Sequence, residues 1–276
     1  MVVTYERTFD TSKQAAVLDA LDSTYSLLYF DSIGVAGPMR QLLALSGARW
    51  TQLYPQEWGN EDALDKSSTP FGVLPVLYVH SSDGSQTVAI AESKAIEQYL
   101  AQKFNCLGKN TYERSLIASF VSSTGALWDD ILITIVHLNA PPEVKQQQME
   151  ALLKTKLPNW IKIHEQHLQA NGNNGHYVGD TISLADLKAA ALIGLINRFP
   201  QAAPLLSAEA TPALLKVQET VDSHPKIQEW HASELFKSLR PSRLAPSLPR
   251  APGIRLNDRQ GNKTGGIDPA ELQNQA

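Results

Sequence analysis

The stretch TPFGVLPVL at residues 69–77 places a proline inside an apolar run that otherwise predicts a buried strand. Proline cannot donate to a strand ladder, so Pro75 belongs at the first residue of a strand, at an edge or at a bulge. At the first residue of a strand it leaves the backbone of Leu74 with a free edge. The bond between the two residues is also of the X-Pro type, which tolerates the cis form at low cost.

A predicted helix over 93–103 starts shortly after this strand, at Glu92 and Ser93. A helix N-terminus attracts anions, because its first backbone N–H groups lack partners and the helix dipole is positive there. A free backbone edge beside such a helix start is how a thioredoxin-like fold holds a small peptide with a carboxylate. These residues alone fit an ordinary strand and helix with an incidental proline equally well.

Composition narrows the class of protein. The chain has 276 residues, enough for one large domain or two ordinary ones. Its net charge of −4, without a basic block, argues against nucleic acid or an anionic membrane as a partner. The sequence contains no apolar run long enough to span a membrane. Its N-terminus lacks the features of a secretory signal or a mitochondrial transit peptide, which favours a cytoplasmic protein.

The single cysteine, Cys106, excludes an intrachain disulfide, a cysteine-based metal cluster and a CxxC redox centre. We predict a structural role for it. His137, His164 and His167 fall in helical stretches without a supporting carboxylate pattern, so we interpret them as core or surface residues. No metal site is expected.

Apolar periodicity divides the chain into a mixed part and a helical part. Residues 25–105 predict the order β-α-β followed by β-β-α, with strands over 25–30 and 73–79 among them. Helices are predicted over 112–137, 142–169, 183–198 and 212–223. The predicted organisation is an N-terminal extension (1–24), a mixed domain (25–105), an all-helical domain (106–240) and a tail (241–276) that is disordered or draped over the surface.

A capping box begins one of the predicted helices. Ser183 lies at the N-cap, and Asp186 lies three residues on, so each side chain can bond to the other residue's backbone N–H. The role of this pair is in folding rather than catalysis.

Residues 25–240 resemble the glutathione S-transferase family. The string HYVGDTISLAD at 176–186 is similar to the family's buried helix start in its second domain. The string YFDSIG at 29–34, with Arg40 and Gly47, resembles the opening of the tyrosine-type classes, most nearly the sigma class. The resemblance implies an α+β thioredoxin-like N-terminal domain followed by an all-α C-terminal domain. It also implies a homodimer, in which Phe71 lies where some relatives place an aromatic key into their partner.

The resemblance also implies a glutathione site. Leu74, before a cis-proline at Pro75, would pair backbone to backbone with the cysteinyl part of glutathione. Glu92 and Ser93 would hold the γ-glutamyl carboxylate.

Two further residues are implied at the other end of glutathione, and one beside the second substrate. Lys66 and the indole N–H of Trp58 would hold the glycine carboxylate. Substrates of the family are typically apolar electrophiles bound between the domains, and Trp128 is a candidate wall of that pocket, although a plain core role fits it equally well.

The resemblance makes Tyr29 the catalytic residue, with Ser32 as a competitor because other classes use a serine or cysteine in that turn. Only a thiolate attacks, and the pKa of a free thiol is about 8.5. A phenol hydroxyl that donates to the sulfur favours the anion and lowers that pKa. One hydrogen bond to a charged acceptor contributes about 1.5–3 kcal/mol, enough to lower a pKa by about one unit.

Two departures from the family pattern leave the reaction open. Val35 stands where tyrosine-type relatives often carry an arginine, and Ala118 stands near the place of an acid that reaches the neighbouring subunit's glutathione. Three readings follow: a transferase, a glutathione-dependent isomerase that returns its glutathione unchanged, and a non-catalytic ligand-binding protein on the same fold.

Overall fold

The structure, a computed structural model, describes Tyr5, 11–56, Trp58, 64–132, 140–199 and 201–239. The predicted tail and His137 lie outside these residues. None of the described helices is long and apolar enough to cross a membrane.

Four strands form one mixed sheet in the first part of the chain. They are β1 (Thr24–Leu28), β2 (Trp50–Leu53), β3 (Val76–His80) and β4 (Thr87–Ala91), in the spatial order β2-β1-β3-β4. The strands β1 and β2 are parallel, whereas β3 is antiparallel to both β1 and β4. The parallel pair needs a crossover, which helix α2 (Gly37–Ser46) supplies.

Two of the predicted strands are longer than the observed strands, each at the end that lies next to the predicted site. The strand predicted over 73–79 begins at Val76, because Pro75 has no N–H to give to the ladder. The bond between Leu74 and Pro75 is cis. The strand predicted over 25–30 ends at Leu28.

Part of the predicted N-terminal extension is packed on the sheet. Helix α1 (Ser12–Asp19) lies against β3 and β4. Its end is held by helix α4 (Ser93–Lys103), because the Tyr99 hydroxyl and the Lys103 ammonium donate to the Leu18 carbonyl at 3.0 and 2.8 Å. These donors satisfy a carbonyl near the end of the helix.

The remaining described elements are helical, as the periodicity predicts. A short α3 (Leu64–Ser67) precedes β3, and the second part contains α5 (Thr111–Leu132), α6 (Pro142–Ala151), α7 (Leu157–Ala170), α8 (Leu184–Ile196), α9 (Pro212–Asp222), α10 (Pro225–Ala232) and α11 (Glu234–Ser238). The helix predicted over 142–169 contains one π-helical turn, Leu152–Lys156, before Pro158. Proline has no N–H for the preceding turn, which accounts for the irregularity.

Helix α8 begins at the predicted capping box. The buried Asp186 carboxylate accepts hydrogen bonds from the Ser183 N–H at 2.7 Å, the Ser183 hydroxyl at 2.8 Å and the Tyr177 N–H at 2.7 Å. Apolar residues all round α8 are buried, and the helix packs against α5 and α9 and also against α2 of the first part. The fold is therefore an α+β thioredoxin-like unit followed by an all-helical one, while the exact domain boundaries stay predictions.

Candidate active site

Three strand ends meet at one edge of the sheet. The ladder aligns Leu28 at the end of β1 with Val76 at the start of β3, and Val76 with Ala91 at the end of β4. The residues next to these strand ends therefore share that edge: Tyr29, Leu74, Pro75, Glu92 and Ser93. Residues predicted from separate stretches of sequence are thus brought together by strand register.

Tyr29 is held just beyond β1 with its hydroxyl oxygen already in use. The side chain is 8% exposed, and its oxygen accepts a hydrogen bond from the Val35 N–H at 3.4 Å. Burial raises the pKa of Tyr29 above its ordinary value, while the Val35 bond and the charge of Arg40 oppose this rise. The phenol therefore stays protonated at neutral pH, and among the described residues its proton has no acceptor.

Gly34 allows the close approach of the Tyr29 hydroxyl. Its φ is +39°, a region that favours glycine. A Cβ at this position would lie 2.6 Å from the Tyr29 Oη, closer than packed atoms allow. The turn after β1 therefore fits the phenol ring only with glycine there.

Arg40 fixes the turn that carries Tyr29. Its guanidinium donates to the carbonyl oxygens of Ser32 at 2.7 Å, Ile33 at 3.2 Å and Phe30 at 3.2 Å, and to the Gln52 Oε1 at 2.9 Å. The side chain is 1% exposed, and burial lowers the pKa of Arg40 to about 10, so it is charged at neutral pH. This network uses the Ser32 carbonyl, and it gives the Ser32 hydroxyl no role.

The backbone of Leu74 presents the predicted free edge. Leu74 precedes the first paired residue of β3, and its N–H and carbonyl bond to none of the described residues. An unpaired strand edge is a template for another extended chain.

Glu92 has a backbone conformation unusual for a residue with a side chain. Its φ is +72° and its ψ is 122°, a combination that costs on the order of 1–3 kcal/mol and clusters at ligand-binding sites. Ser93 then begins α4 with its N-terminal N–H groups at the sheet edge. This strained residue directly precedes the helix start that is predicted to hold a carboxylate.

Trp58 and Lys66 each lie close to one of the segments that form the sheet edge. The Trp58 ring packs edge-on against Phe30, with centroids 6.1 Å apart, and Phe30 packs in turn against Tyr29 at 5.4 Å. Lys66 belongs to the short α3, and its side chain passes Gly72, just before Leu74. Trp58 is thus linked to Tyr29 through Phe30, and Lys66 lies close to the segment that leads to Leu74.

A cleft opens between the sheet unit and the helical unit beside Ser93. It is narrow, with a cavity volume of about 20 Å³. Its lining residues come from both units: Val35, Pro38, Ser93, Lys94, Glu97, Gly125, Trp128, Asp129 and Lys188. Trp128 is 5% exposed, so it is both a core residue and part of the cleft. Its indole nitrogen has no acceptor among the described residues.

Comparison with known proteins assigns the family. Residues 129–234 match the family described as glutathione S-transferase, C-terminal domain. Glutathione S-transferase 3 of Caenorhabditis elegans is 30% identical over 220 residues, covering 75% of this chain and 95% of the relative. The chain belongs to the glutathione S-transferase family.

This transferase is also similar to a protein named as a synthase and to a solved structure described as monomeric. Hematopoietic prostaglandin D synthase of Gallus gallus is 27% identical over 208 residues, covering 75% of this chain and 94% of the synthase. The solved structure of monomeric Na-GST-3 from the hookworm Necator americanus is 27% identical with a TM-score of 0.60, covering 75% of this chain and 95% of that one. The family's enzymes use glutathione as a cosubstrate.

Val35 and Ala118, the two departures from the family pattern, occupy different surroundings in the structure. Val35 contributes its backbone N–H to Tyr29, and Val35 also lines the cleft. Ala118 is exposed on α5, where a methyl group offers no charge.

Sequence reasoning missed the charged residues around the cleft. Arg40 is part of the resemblance, but its role in holding the turn was not predicted. Lys188 pairs with Glu97 at 2.6 Å across the two units, and both side chains are buried. Lys94 pairs with Asp129 at 3.1 Å at the exposed side of the cleft. Helical periodicity assigns each residue to a face of its own helix but does not say which two faces meet.

The remaining predictions for single residues fit the structure. Cys106 is buried, and burial raises the pKa of its thiol to about 11, as expected of a structural cysteine. His164 is a core residue between the Ser123 and Tyr177 hydroxyls at 2.9 and 2.8 Å. Burial lowers the pKa of His164 to about 3, so it is neutral.

Proposed function

We propose that this transferase binds glutathione along the edge formed by Tyr29, Leu74 and Ser93, and that the Tyr29 hydroxyl stabilises its thiolate. The observation that carries the proposal is the state of Tyr29: a protonated, buried phenol whose oxygen is fixed by the Val35 N–H and whose proton has no acceptor among the described residues. A thiolate placed there would be the missing acceptor, and a hydrogen bond to it favours the anion.

The backbone positions the rest of glutathione. The free N–H and carbonyl of Leu74 suit the cysteinyl amide, as in the addition of a strand to a sheet edge. The N-terminus of α4, with Glu92 and Ser93, suits the γ-glutamyl carboxylate. Lys66, near Gly72, and Trp58, which packs against Phe30, are assigned to the glycine carboxylate.

We assign the second substrate to the space between the two units next to Val35, Pro38 and Trp128, and not to the charged side of the cleft at Lys94 and Asp129. Val35, Pro38 and Trp128 give it apolar walls, which suit an apolar electrophile. In a substitution, the thiolate forms a carbon–sulfur bond and the leaving group departs with the electron pair of the bond that breaks. In an addition to a conjugated alkene, the electron pair of the double bond moves onto the neighbouring atoms, which take up a proton from water. Similarity to a prostaglandin D synthase supports a second candidate, a glutathione-dependent isomerase, in which the thiolate adds, the product rearranges and glutathione is released unchanged.

The proposal includes a homodimer. Phe71 is 67% exposed and Val73 is 41% exposed, and both lie beside the start of β3. Large exposed apolar side chains that lie together suit a protein interface. Sedimentation of the full chain and of Phe71→Ala tests this: the proposal expects a dimer that the substitution weakens, and a monomeric parent protein would contradict it.

The activity is tested by the ultraviolet absorbance of the thiolate of bound glutathione as the pH is raised, in the parent protein and in Tyr29→Phe. We expect a pKa well below about 8.5 in the parent protein and a return towards that value in the variant, which should still bind glutathione. Tyr25→Phe is the matched control, since Tyr25 is a buried tyrosine on β1, the strand that ends just before Tyr29.

Each alternative has its own signature in the same experiment. A shift that survives in Tyr29→Phe and is lost in Ser32→Ala would assign activation to Ser32. Bound glutathione with an unshifted pKa in every protein would support the non-catalytic reading. Consumption of glutathione then separates a transferase from an isomerase.

A further inference from the structure

Two ion pairs lie side by side in the cleft at the start of α4, and they differ in how easily they can be rearranged. The pair of Lys188 and Glu97 is buried, with side chains 7% and 3% exposed. The pair of Lys94 and Asp129 is open to solvent, with side chains 69% and 53% exposed. Separating a buried pair is strongly unfavourable, whereas an exposed pair contributes about 0–1 kcal/mol. Only the exposed pair can exchange its partners for a ligand at little cost.

The exposed pair sits beside the residue proposed to hold the γ-glutamyl group. Lys94 follows Ser93 directly, and Ser93 and Asp129 line the same cleft. The γ-glutamyl end of glutathione is an α-amino acid, so it carries one carboxylate and one ammonium. Ser93 and the helix N-terminus offer donors to the carboxylate, whereas the ammonium needs acceptors, which the carboxylates of Glu92 and Asp129 can supply.

We infer that Lys94 and Asp129 open to receive this zwitterion, with Lys94 turning to the carboxylate and Asp129 accepting from the ammonium. The inference rests on the proposed glutathione site. In relatives the acid for the ammonium is expected from a neighbouring subunit, near the position of Ala118, which offers no charge here. Asp129 belongs to the same subunit as Ser93, so the glutathione site of this chain is complete within one subunit.

Both lysine side chains of the two ion pairs lie next to Gly125. A Cβ there would lie 3.6 Å from the Lys188 Cε and 3.9 Å from the Lys94 Cε, so both lysine side chains pass over the glycine. The buried pair keeps one of them occupied, because Lys188 stays with Glu97 at 2.6 Å. Lys94 is therefore the cation available to the ligand. The buried indole nitrogen of Trp128, without an acceptor among the described residues, is a further polar atom at this cleft.

The test compares the binding of glutathione and of its analogue that lacks the α-amino group, by calorimetry on the full chain. Asp129→Asn should weaken glutathione binding about tenfold, since it removes the negative charge that faces the ammonium while keeping the size of the side chain. It should leave the affinity for the deaminated analogue unchanged. Asp180→Asn is the matched control, because Asp180 forms a comparable exposed pair with Lys109 at 2.9 Å outside the cleft.

The outcomes separate this inference from the proposed function. A parent protein that binds neither ligand overturns the proposed function. A parent protein that binds glutathione while Asp129→Asn binds it equally well overturns only the inference. Equal weakening of both ligands in Asp129→Asn also overturns it, since the effect would not depend on the ammonium. If the parent protein lost affinity for glutathione on dilution into monomers, the acceptor of the ammonium would be a residue of the partner subunit, and the inference would be overturned.

Discussion

Arg40 and Asp186 are buried charges that do the same structural work in the two halves of the molecule. Arg40 is a cation whose partners are three backbone carbonyls and the Gln52 amide oxygen. Asp186 is an anion whose partners are two backbone N–H groups and a hydroxyl. In both cases neutral dipoles supply the hydrogen bonds to a buried charge, and in both cases this charge fixes a loop. The His176 Nδ1 also lies 3.8 Å from the Asp186 carboxylate. Charged hydrogen bonds of this kind are about twice as strong as neutral ones.

The difference lies in what each loop carries. Asp186 ties the 177–183 loop to the start of α8, a loop that carries none of the residues assigned to the glutathione site. Arg40 ties the turn that holds Tyr29 and Gly34. Loss of the Asp186 carboxylate should therefore affect stability alone. Loss of the Arg40 guanidinium should affect both stability and thiolate formation.

The largest loss of stability is expected for Asp186→Ala. The change leaves three buried donors without an acceptor, each worth about 1–3 kcal/mol, so we expect a loss of about 4 kcal/mol in the free energy of unfolding. Urea denaturation measures it, with the exposed Asp180→Asn as a control that should show no change. Folded Asp186→Ala protein should retain the lowered pKa of bound glutathione; a return of that pKa to its free value would contradict the contrast with Arg40.

Lys188 tests a third kind of buried charge, one that has an opposite charge as its partner. Lys188→Met leaves Glu97 buried and unpaired, which should cost about 3 kcal/mol at pH 7. Burial raises the pKa of Glu97 in the folded protein, and Lys188 opposes this rise. Without Lys188 the rise should be larger, so on acidification the folded variant takes up a proton before the unfolded chain does.

The stability loss of Lys188→Met should therefore shrink as the pH falls from 7 towards 5. Urea denaturation at both pH values measures this, and the double variant with Glu97→Gln should lose the pH dependence. A loss that grows on acidification would show that the Glu97 carboxylate is not the unpaired group.

Arg40→Met should cost less stability than these changes but should also affect the site. Its carbonyl partners lie near the surface turn and can recruit water, so we expect a loss of about 2 kcal/mol. Because the turn then loosens around Tyr29, the pKa of bound glutathione should rise towards its free value. Arg49→Met, at an exposed arginine nearby, is the control. Unchanged thiolate formation in Arg40→Met would show that the Tyr29 turn holds without its buried cation.

The same contrast explains which parts of the molecule could be predicted. Ser183 and Asp186 form a local pattern with a fixed spacing, so the capping box was visible in the sequence. The Leu74–Pro75 edge was visible for a similar reason, since proline restricts its own position in a strand. Arg40 contacts carbonyls, which every residue carries, so no residue type marks its partners. The pairs of Lys94 with Asp129 and Lys188 with Glu97 depend on how helices meet, and a single sequence does not encode that in any local spacing.

The smallest effect on stability, with a clear effect on the site, is expected for Gly34→Ala. Gly34 and Gly47 both have a positive φ, +39° and +69°, so alanine at either position should cost about 1 kcal/mol through the backbone. A Cβ on Gly34 would meet the Tyr29 hydroxyl, whereas a Cβ on Gly47 would meet nothing within 4 Å. Gly34→Ala should therefore displace the phenol and raise the pKa of bound glutathione, and Gly47→Ala should leave that pKa unchanged. Equal thiolate pKa values in the two variants would mean that the Tyr29 hydroxyl does not need its present position, and the role assigned to Tyr29 would fail with it.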